Sequence, residues 1–331
     1  MDRILLGHGS GGRLMHSLIK DILAPSLDIK TFDDSARLRV EAESLAFTTD
    51  SYVVDPIFFP GGDIGSLAVN GTVNDLAMVG ADPLFMTVGL IIEEGFELHA
   101  LKEILSSMRN AADKAGVRIV AGDTKVVGKG KADRIFINTS GIGVIPVGVH
   151  ISGSNARPGD RVILSGPIGN HGIAVIAERE GFKFNPPVLS DTRPLNLLSK
   201  NMLSVTKNIN AMRDPTRGGL GTTLKEIAVS SGVGVLIRED AIPIEAGVRG
   251  ACELLGYDPL YVANEGVLVA FVPEKDAEGV LSAMRKNPFG RNSALIGEAV
   301  AEHRGNVVLE TSIGGRRLVE MLSGEQLPRI C

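Results

Sequence analysis

Twice along this 331-residue chain, short β-rich runs alternate with long stretches of helical periodicity, and this alternation limits the fold more than any other feature. In the first half the order is "SLAFTTD", "DIGSLAVNGTVNDLAMVG", "LFMTVGLII", "ELHALKEILSSMRNAADKAG", "VRIVAG" and "RIFINTSGIGVI". The short runs read as strands and the stretches of 3.6-residue repeat as helices, which places the chain in the α/β class. At "SGSNARPGD", Ser, Gly, Asn and Pro gather between two apolar runs and mark a boundary near residues 150–160. The first domain is therefore expected over residues 1–150. A second α/β unit opens at "RVILSG" and is expected over residues 151–310, which leaves 311–331 as a mobile tail. Within that tail "GGRRLVEMLSGEQ" is expected to make at most a short helix, and Pro328 discourages continuation.

Apolar residues make up 44% of the chain, enough for a sizeable core in each half. Forty glycines and no Trp favour tight backbone turns over aromatic platforms, and a net charge of -5 without a basic cluster argues against nucleic acid as a partner. No apolar run is long enough to span a membrane, and the first residues lack the pattern of a signal peptide, so a cytoplasmic protein without membrane contact is expected. In that reducing compartment a Cys252–Cys331 disulfide is not expected. Cys252 shares an apolar helical stripe with Val248, Ala251 and Leu255 and reads as buried packing. Cys331 is different. It is the final residue, where order is normally lowest, and the chain from Gly324 onward can extend ~25 Å.

Three acids sit where the backbone changes direction: Asp50 ends "FTTD", Asp75 lies in "NGTVNDLAMVG", and Asp123 follows "IVAG". Carboxylates of this kind suit a hard cation such as Mg²⁺ bridging nucleotide phosphates, although an Asp at a strand end also serves simply as a turn or capping residue. Asp75 falls beside the apolar stripe of Ile64, Leu67, Ala68, Gly71, Met78 and Val79, so it requires a partner. Asn70 and Asn74, one helical turn apart, either present amides to a ligand or cross-link the helix. Glycine-rich stretches at "GHGSGGRL", "FPGGDIGS", "GPIGNHG" and "DPTRGGLG" precede helices and are candidate anion sites. None is a G-x-x-x-x-G-K-[ST] or G-x-G-x-x-G fingerprint, so ATP, if bound, is bound by an uncommon route. The histidines lack metal-ligand spacing, and His171 in "GPIGNHGI" reads either as a phosphate contact or as a polar loop residue.

Taken together, "FTTDSYVVDPIFFPGGDIGSLAVNGTVNDLAMVGADPLF", "AGDTKVV", "DPTRGGLGTTLKEIA" and the terminal "PRIC" resemble the HypE family of hydrogenase maturation proteins. The first three motifs are shared with the wider superfamily of aminoimidazole ribonucleotide synthetase (PurM-like), and the terminal Pro-Arg-Ile-Cys is what singles out the narrower family. The resemblance implies a two-domain PurM-like α/β fold and a homodimer built on the N-terminal sheets. It also implies ATP and Mg²⁺ bound between domains or across the dimer interface. Cys331 would receive a carbamoyl group from the carbamoyltransferase HypF, and ATP-dependent dehydration would turn it into a thiocyanate. The cyano group would then pass to iron on a HypC–HypD scaffold. By the same match Asp50, Asp75 and Asp123 would hold Mg²⁺–ATP, with Asn74, Asp214 and His171 near phosphate or metal. Lys125 and Glu265 would deprotonate the carbamoyl nitrogen. Two other readings are an ATP-dependent kinase or synthetase for a free small molecule, and a non-catalytic group carrier.

Overall fold

In a computed structural model, residues 3–9, 13–29, 36, 38–322 and 329–331 are described. The expectations placed on Ser10–Gly12 of the first glycine-rich stretch and on Gly324–Pro328 of the tail lie outside these residues. After the short N-terminal helices α1 (Arg13–Leu18) and α2 (Ala24–Leu27) come β1 (Leu45–Tyr52), β2 (Phe58–Phe59), β3 (Gly62–Asp63), α3 (Ile64–Met78), β4 (Asp82–Glu93), α4 (Leu98–Ala115), β5 (Arg118–Val127) and β6 (Ile135–Val144). The second half holds β7 (Asp160–Leu164), α5 (Asn170–Glu180), α6 (Asn196–Val205), β8 (Ala211–Arg213), α7 (Gly219–Ser231), β9 (Gly234–Arg238), α8 (Ala246–Leu255), β10 (Val269–Pro273), α9 (Glu274–Lys286), β11 (Ala294–Val300), β12 (Val307–Glu310) and β13 (Arg316–Val319).

Among the described residues, the first-half strands form a sheet in the order β1-β6-β4-β5, and those of the second half a larger sheet, β13-β12-β9-β11-β7-β10-β8. The parallel pair β4 and β5 is joined through α4, whose apolar stripe of Leu101, Ile104, Leu105 and Met108 is buried. Helix α3 is apolar nearly all round because it is wedged between the first sheet, α4 and the second half. Its start is fixed by a reciprocal cap, in which Asp63 accepts from Gly65 N–H at 2.6 Å and Ser66 Oγ accepts from Asp63 N–H at 3.0 Å. The cap also uses up the amides that "FPGGDIGS" offered as an anion site. Close approach requires glycine at one point: a Cβ on Gly71 would lie 2.1 Å from the Tyr52 hydroxyl.

Cys252 is buried on α8 among Val248, Ala251 and Val262, where burial pushes its thiol up to about 11. The stretch "GGRRLVEMLSGEQ" departs from expectation. Arg316–Val319 is a strand that pairs antiparallel with β12, because β12 offers it a free sheet edge and Gly314, at φ 84°, closes the turn between them.

Candidate active site

The end of the chain returns to the body of the protein. Arg329, Ile330 and Cys331 lie along residues 53–55, just past β1: Val53 N–H donates to Cys331 O and Asp55 N–H to Arg329 O, both at 3.2 Å. Ile330 is 2% exposed and sits in the same apolar cluster as Val175 and Ala263 of the second half. The thiol of Cys331 is thereby set where the two halves meet, within range of the charges of Glu265, Asp50, Asp214 and Arg217. Burial, and then the negative charge of Glu265, push it up to about 12, so the docked sulfur is a protonated thiol.

Each acid around the sulfur is delivered by a different element. Asp50 comes from β1 and Asp75 from α3, with their carboxyls in hydrogen-bonding reach of each other; Thr72 donates to Asp50 at 3.3 Å and Thr48 to Asp75 at 2.8 Å. Asp214 stands in the turn between β8 and α7. Glu265 lies in the loop before β10, 3% exposed, with its Oε1 unpartnered among the described residues. Burial followed by the charge of Asp75 raises Asp50 to about 6 and Asp214 to about 7. Burial, then Asp214, Asp191 and Asp50, raise Glu265 well above the ordinary carboxylate range. Four carboxyls so arranged make a site short of positive charge, and oxygen donors of this kind suit a hard divalent cation.

The structure gathers Asp50, Asp75, Asp214, Glu265 and Cys331, and separates them from Asp123 and Lys125. The first sheet shows why. Asp50 pairs with Thr139, Thr139 with Val88 and Val88 with Gly122, so Gly122 shares the face of Asp50 while Asp123 faces the other way. Strands β1 and β5 are also three spacings apart, ~14 Å. One ion cannot take Asp50 and Asp123 of one chain together, so the expected triad of Asp50, Asp75 and Asp123 is not assembled within a single chain, where Asp214 instead stands near the Asp50–Asp75 pair. Among the described residues, no three acid, His or Cys side chains are close enough to cage a metal ion on their own. Asp123 is instead paired with Lys125 at 2.7 Å on an exposed edge, and that ion pair holds its carboxyl low. The expected Lys125–Glu265 couple is therefore not formed within this chain.

Two further expected residues spend their polar atoms on the protein itself. Asn74 is buried and spends its amide on backbone: Nδ2 donates to Arg193 O and Glu265 O, both at 3.1 Å, and Oδ1 accepts from Leu195 N–H at 2.8 Å. It ties α3 to the loop of Glu265. His171 is fully buried and holds the tail: Nε2 faces Ile330 O at 2.8 Å, and Nδ1 faces Ser190 Oγ at 2.8 Å. Since a carbonyl oxygen only accepts, the proton is on Nε2, and burial lowers the imidazole to about 4. Asp191 and Asn264 were not singled out by sequence. Asp191 accepts from Glu265 N–H at 3.1 Å, and Asn264 bonds Gly169 N–H and Pro215 O, both at 2.7 Å, pinning the "GPIGNHG" and "DPTRGG" loops to the segment of Glu265. Asn264 had the sequence signal of standing next to Glu265, whereas Asp191 lies in a loop that held no candidate.

Beside Asp123, a cleft of about 540 Å³ lies between the N-terminal helices and the β4–β5 edge, with Met15, Ile19, Leu23, Val88 and Leu90 in its wall. The volume is within the range of small-ligand clefts. The face of the first sheet turned away from α3 carries Leu45 and Ile91, and Phe47 at 71% exposure.

Comparison with known proteins agrees with the two-domain fold. Residues 32–145 match the AIR synthase related protein N-terminal domain, and residues 157–310 its C-terminal domain. The carbamoyl dehydratase HypE of Azotobacter vinelandii is 53% identical over 98% of this chain and 96% of its own. A crystal structure of hydrogenase maturation protein HypE in complex with ATP superposes with a TM-score of 0.95 at 48% identity, covering 99% of both chains. HypE in a crystal structure of a HypE–HypF complex superposes with a TM-score of 0.82 at 46% identity, covering 94% of this chain and 100% of that one. The two-domain α/β architecture, the sequence identity and the full-length coverage lead to one conclusion: this chain belongs to the HypE family of carbamoyl dehydratases, within the AIR synthase related proteins.

Proposed function

We propose that this protein uses ATP to dehydrate an S-carbamoyl group on Cys331 to a thiocyanate, which supplies cyanide ligands during the maturation of nickel–iron hydrogenase. The observation that carries this reading is the docking of the last three residues between the two halves, which brings the Cys331 thiol within range of the charges of Glu265, Asp214 and Asp50. Relatives named carbamoyl dehydratase and a HypE structure with ATP support it. HypF as the carbamoyl donor is supported by the HypE–HypF structure, and a HypC–HypD scaffold remains the expected acceptor. Among the described residues no helix is long and apolar enough to cross a membrane, and we place the reaction in the cytoplasm.

The chemistry follows from the charges. A docked thiol held near 12 is a poor nucleophile, so Cys331 is loaded while the tail is out. The thiocarbamate is neutral and loses nothing on entering an acidic pocket, and its N–H groups suit the unpartnered Glu265 Oε1. Carbamoyl oxygen is a poor leaving group until it takes the γ-phosphoryl group of ATP. It then departs as phosphate while the nitrogen gives up its protons and the sulfur keeps C≡N. Asp50, Asp75 and Asp214 would hold Mg²⁺, which supplies charge neutralisation to the phosphates. A cation held beside Asp50 and Asp214 would offset two of the charges that raise Glu265 and so favour its acting as a base, while burial, the largest cause, would stay in place.

Asp123 and Lys125 enter from a second copy in this reading. The exposed Leu45, Phe47 and Ile91 make a sheet face that a homodimer would cover, and the nucleotide would lie between the Asp123 cleft of one protomer and the acids of its partner. The test is intact mass after incubation with carbamoylating partner, carbamoyl phosphate and Mg²⁺–ATP. The carbamoyl adduct of the parent should become lighter by one water. Glu265→Gln should load normally and dehydrate ~10²–10⁴-fold more slowly. A Cys331→Ala protein that still yields thiocyanate would sink the proposal.

A further inference from the structure

All three terminal residues are read by the protein, and by separate devices. The carbonyl of Arg329 and a carboxylate oxygen of Cys331 accept from Asp55 and Val53 N–H, an antiparallel pairing, while the carbonyl of Ile330 between them turns to His171 Nε2. Arg329 sends Nε to Val53 O at 3.1 Å and Nη1 to Asp133 Oδ2 at 2.7 Å, and it sits at φ 52°, a left-handed turn. Ile330 fills an apolar socket whose lining includes Val175 and Ala263. Arg179 closes the arrangement, its Nη2 on Arg329 O and its Nε on Asp55 O, both at 2.8 Å. Val53, Asp55 and Asp133 come from the first half of the chain, and His171 and Arg179 from α5 in the second. The receptor is thus built from the folded body, and among the described residues at this end of the chain the contacts on it are made by Arg329, Ile330 and Cys331. Main-chain pairing for affinity with side-chain sockets for register is how extended peptides are recognised on strand edges. The covalent link to the body contributes effective concentration rather than contacts.

We propose that this groove is a receptor for peptides ending in Arg-Ile-Cys, separable from the chain's own tail, and that the enzyme dehydrates such a peptide in trans when its terminal sulfur carries a carbamoyl group. The chemical half rests on the function proposed above. In it, the carbamoyl oxygen of R–S–CO–NH₂ attacks the γ-phosphorus of ATP as one N–H proton leaves, and ADP departs. The C–O bond then breaks, the oxygen leaves as phosphate with the second N–H proton, and the nitrogen lone pair completes R–S–C≡N.

The probe is a dye-labelled peptide of the sequence Gln-Leu-Pro-Arg-Ile-Cys, followed by fluorescence anisotropy under reducing conditions. The receptors are the full-length parent and two full-length variants whose own tails are ejected. Ile330→Asp places an unpaired charge in the socket, and Arg329→Glu sets an acid against Asp133. Both variants should bind the peptide saturably, at least about ten-fold more tightly than the parent, whose groove is already filled. A peptide with Asp in place of Ile should lose at least about ten-fold in affinity. Equal binding by parent and variants, or no saturable binding by either variant, overturns the proposal. With the S-carbamoyl peptide and Mg²⁺–ATP, Ile330→Asp should convert the peptide to a product lighter by one water. If the peptide binds but stays unchanged while the parent dehydrates its own Cys331 adduct, activity in trans is overturned. If the parent also leaves its adduct unchanged, the dehydratase reading itself falls, and the chemical half of this proposal with it.

Discussion

His171 is lowered from its usual 6.5 to about 4 by burial, and it donates the hydrogen bond that holds Ile330 O. The sign of the pH dependence follows. Above pH 6.5 the imidazole is neutral in both the unfolded chain and the folded protein, and its contribution to stability is at full strength. Between pH 6.5 and 4 the unfolded chain takes up a proton that the folded state refuses, so stability falls with pH, by up to about 1.4 kcal/mol per unit. The check is the urea midpoint measured across that window. The fall should be smaller in His171→Asn, which keeps a donor without titrating there. Sequence left His171 balanced between phosphate contact and loop residue because its true partner, Ile330, is 159 positions away. Asp75 was more legible. An acid on an apolar helical stripe must be satisfied by something, and Thr48 and Asp50 are what satisfy it.

Helix α3 carries the largest share of the site's geometry, holding Asp75 toward β1 and Asn74 toward the loop of Glu265. Its periodic apolar residues made its existence readable, and its burial on several sides was not, since that depends on which elements close over it. The helix reaches β1 only because Gly71 leaves room for the Tyr52 hydroxyl. Gly71→Ala should therefore cost about 1–3 kcal/mol by overpacking, read as a lower urea midpoint, and Tyr52→Phe in the same chain should recover part of the loss. A lower midpoint of equal size in the double variant would mean that the strain is not at the hydroxyl. Strand β13 shows the opposite limit of sequence reading. "RRLV" is too short for a decisive period, and only the free edge of β12 makes it a strand.

For the molecule as a whole, what sequence could not show is the side of a sheet on which a residue points. Asp50 and Asp123 both looked like strand-end acids; a one-residue difference in cross-strand register puts them on opposite faces. If a partner copy supplies Asp123 and Lys125, two defective proteins should repair each other. Lys125→Ala and Cys331→Ala are each expected to be inactive alone, yet equal amounts exchanged to mixed dimers should regain roughly a quarter of parent activity, since half the dimers then hold one complete site. Activity that stays at zero in demonstrably mixed dimers would put Lys125 and Cys331 of the same chain in one site.

The docked tail is also a rivet. Its three residues are held at once by Val53, Asp55 and Asp133 on one side and by His171 and Arg179 on the other. If, as proposed, the thiol leaves to be loaded, the two halves lose a shared strut, and when it returns they regain it. The stiffness of this enzyme would then rise and fall with its own cargo cycle, and the body would be loosest while its last residue is away.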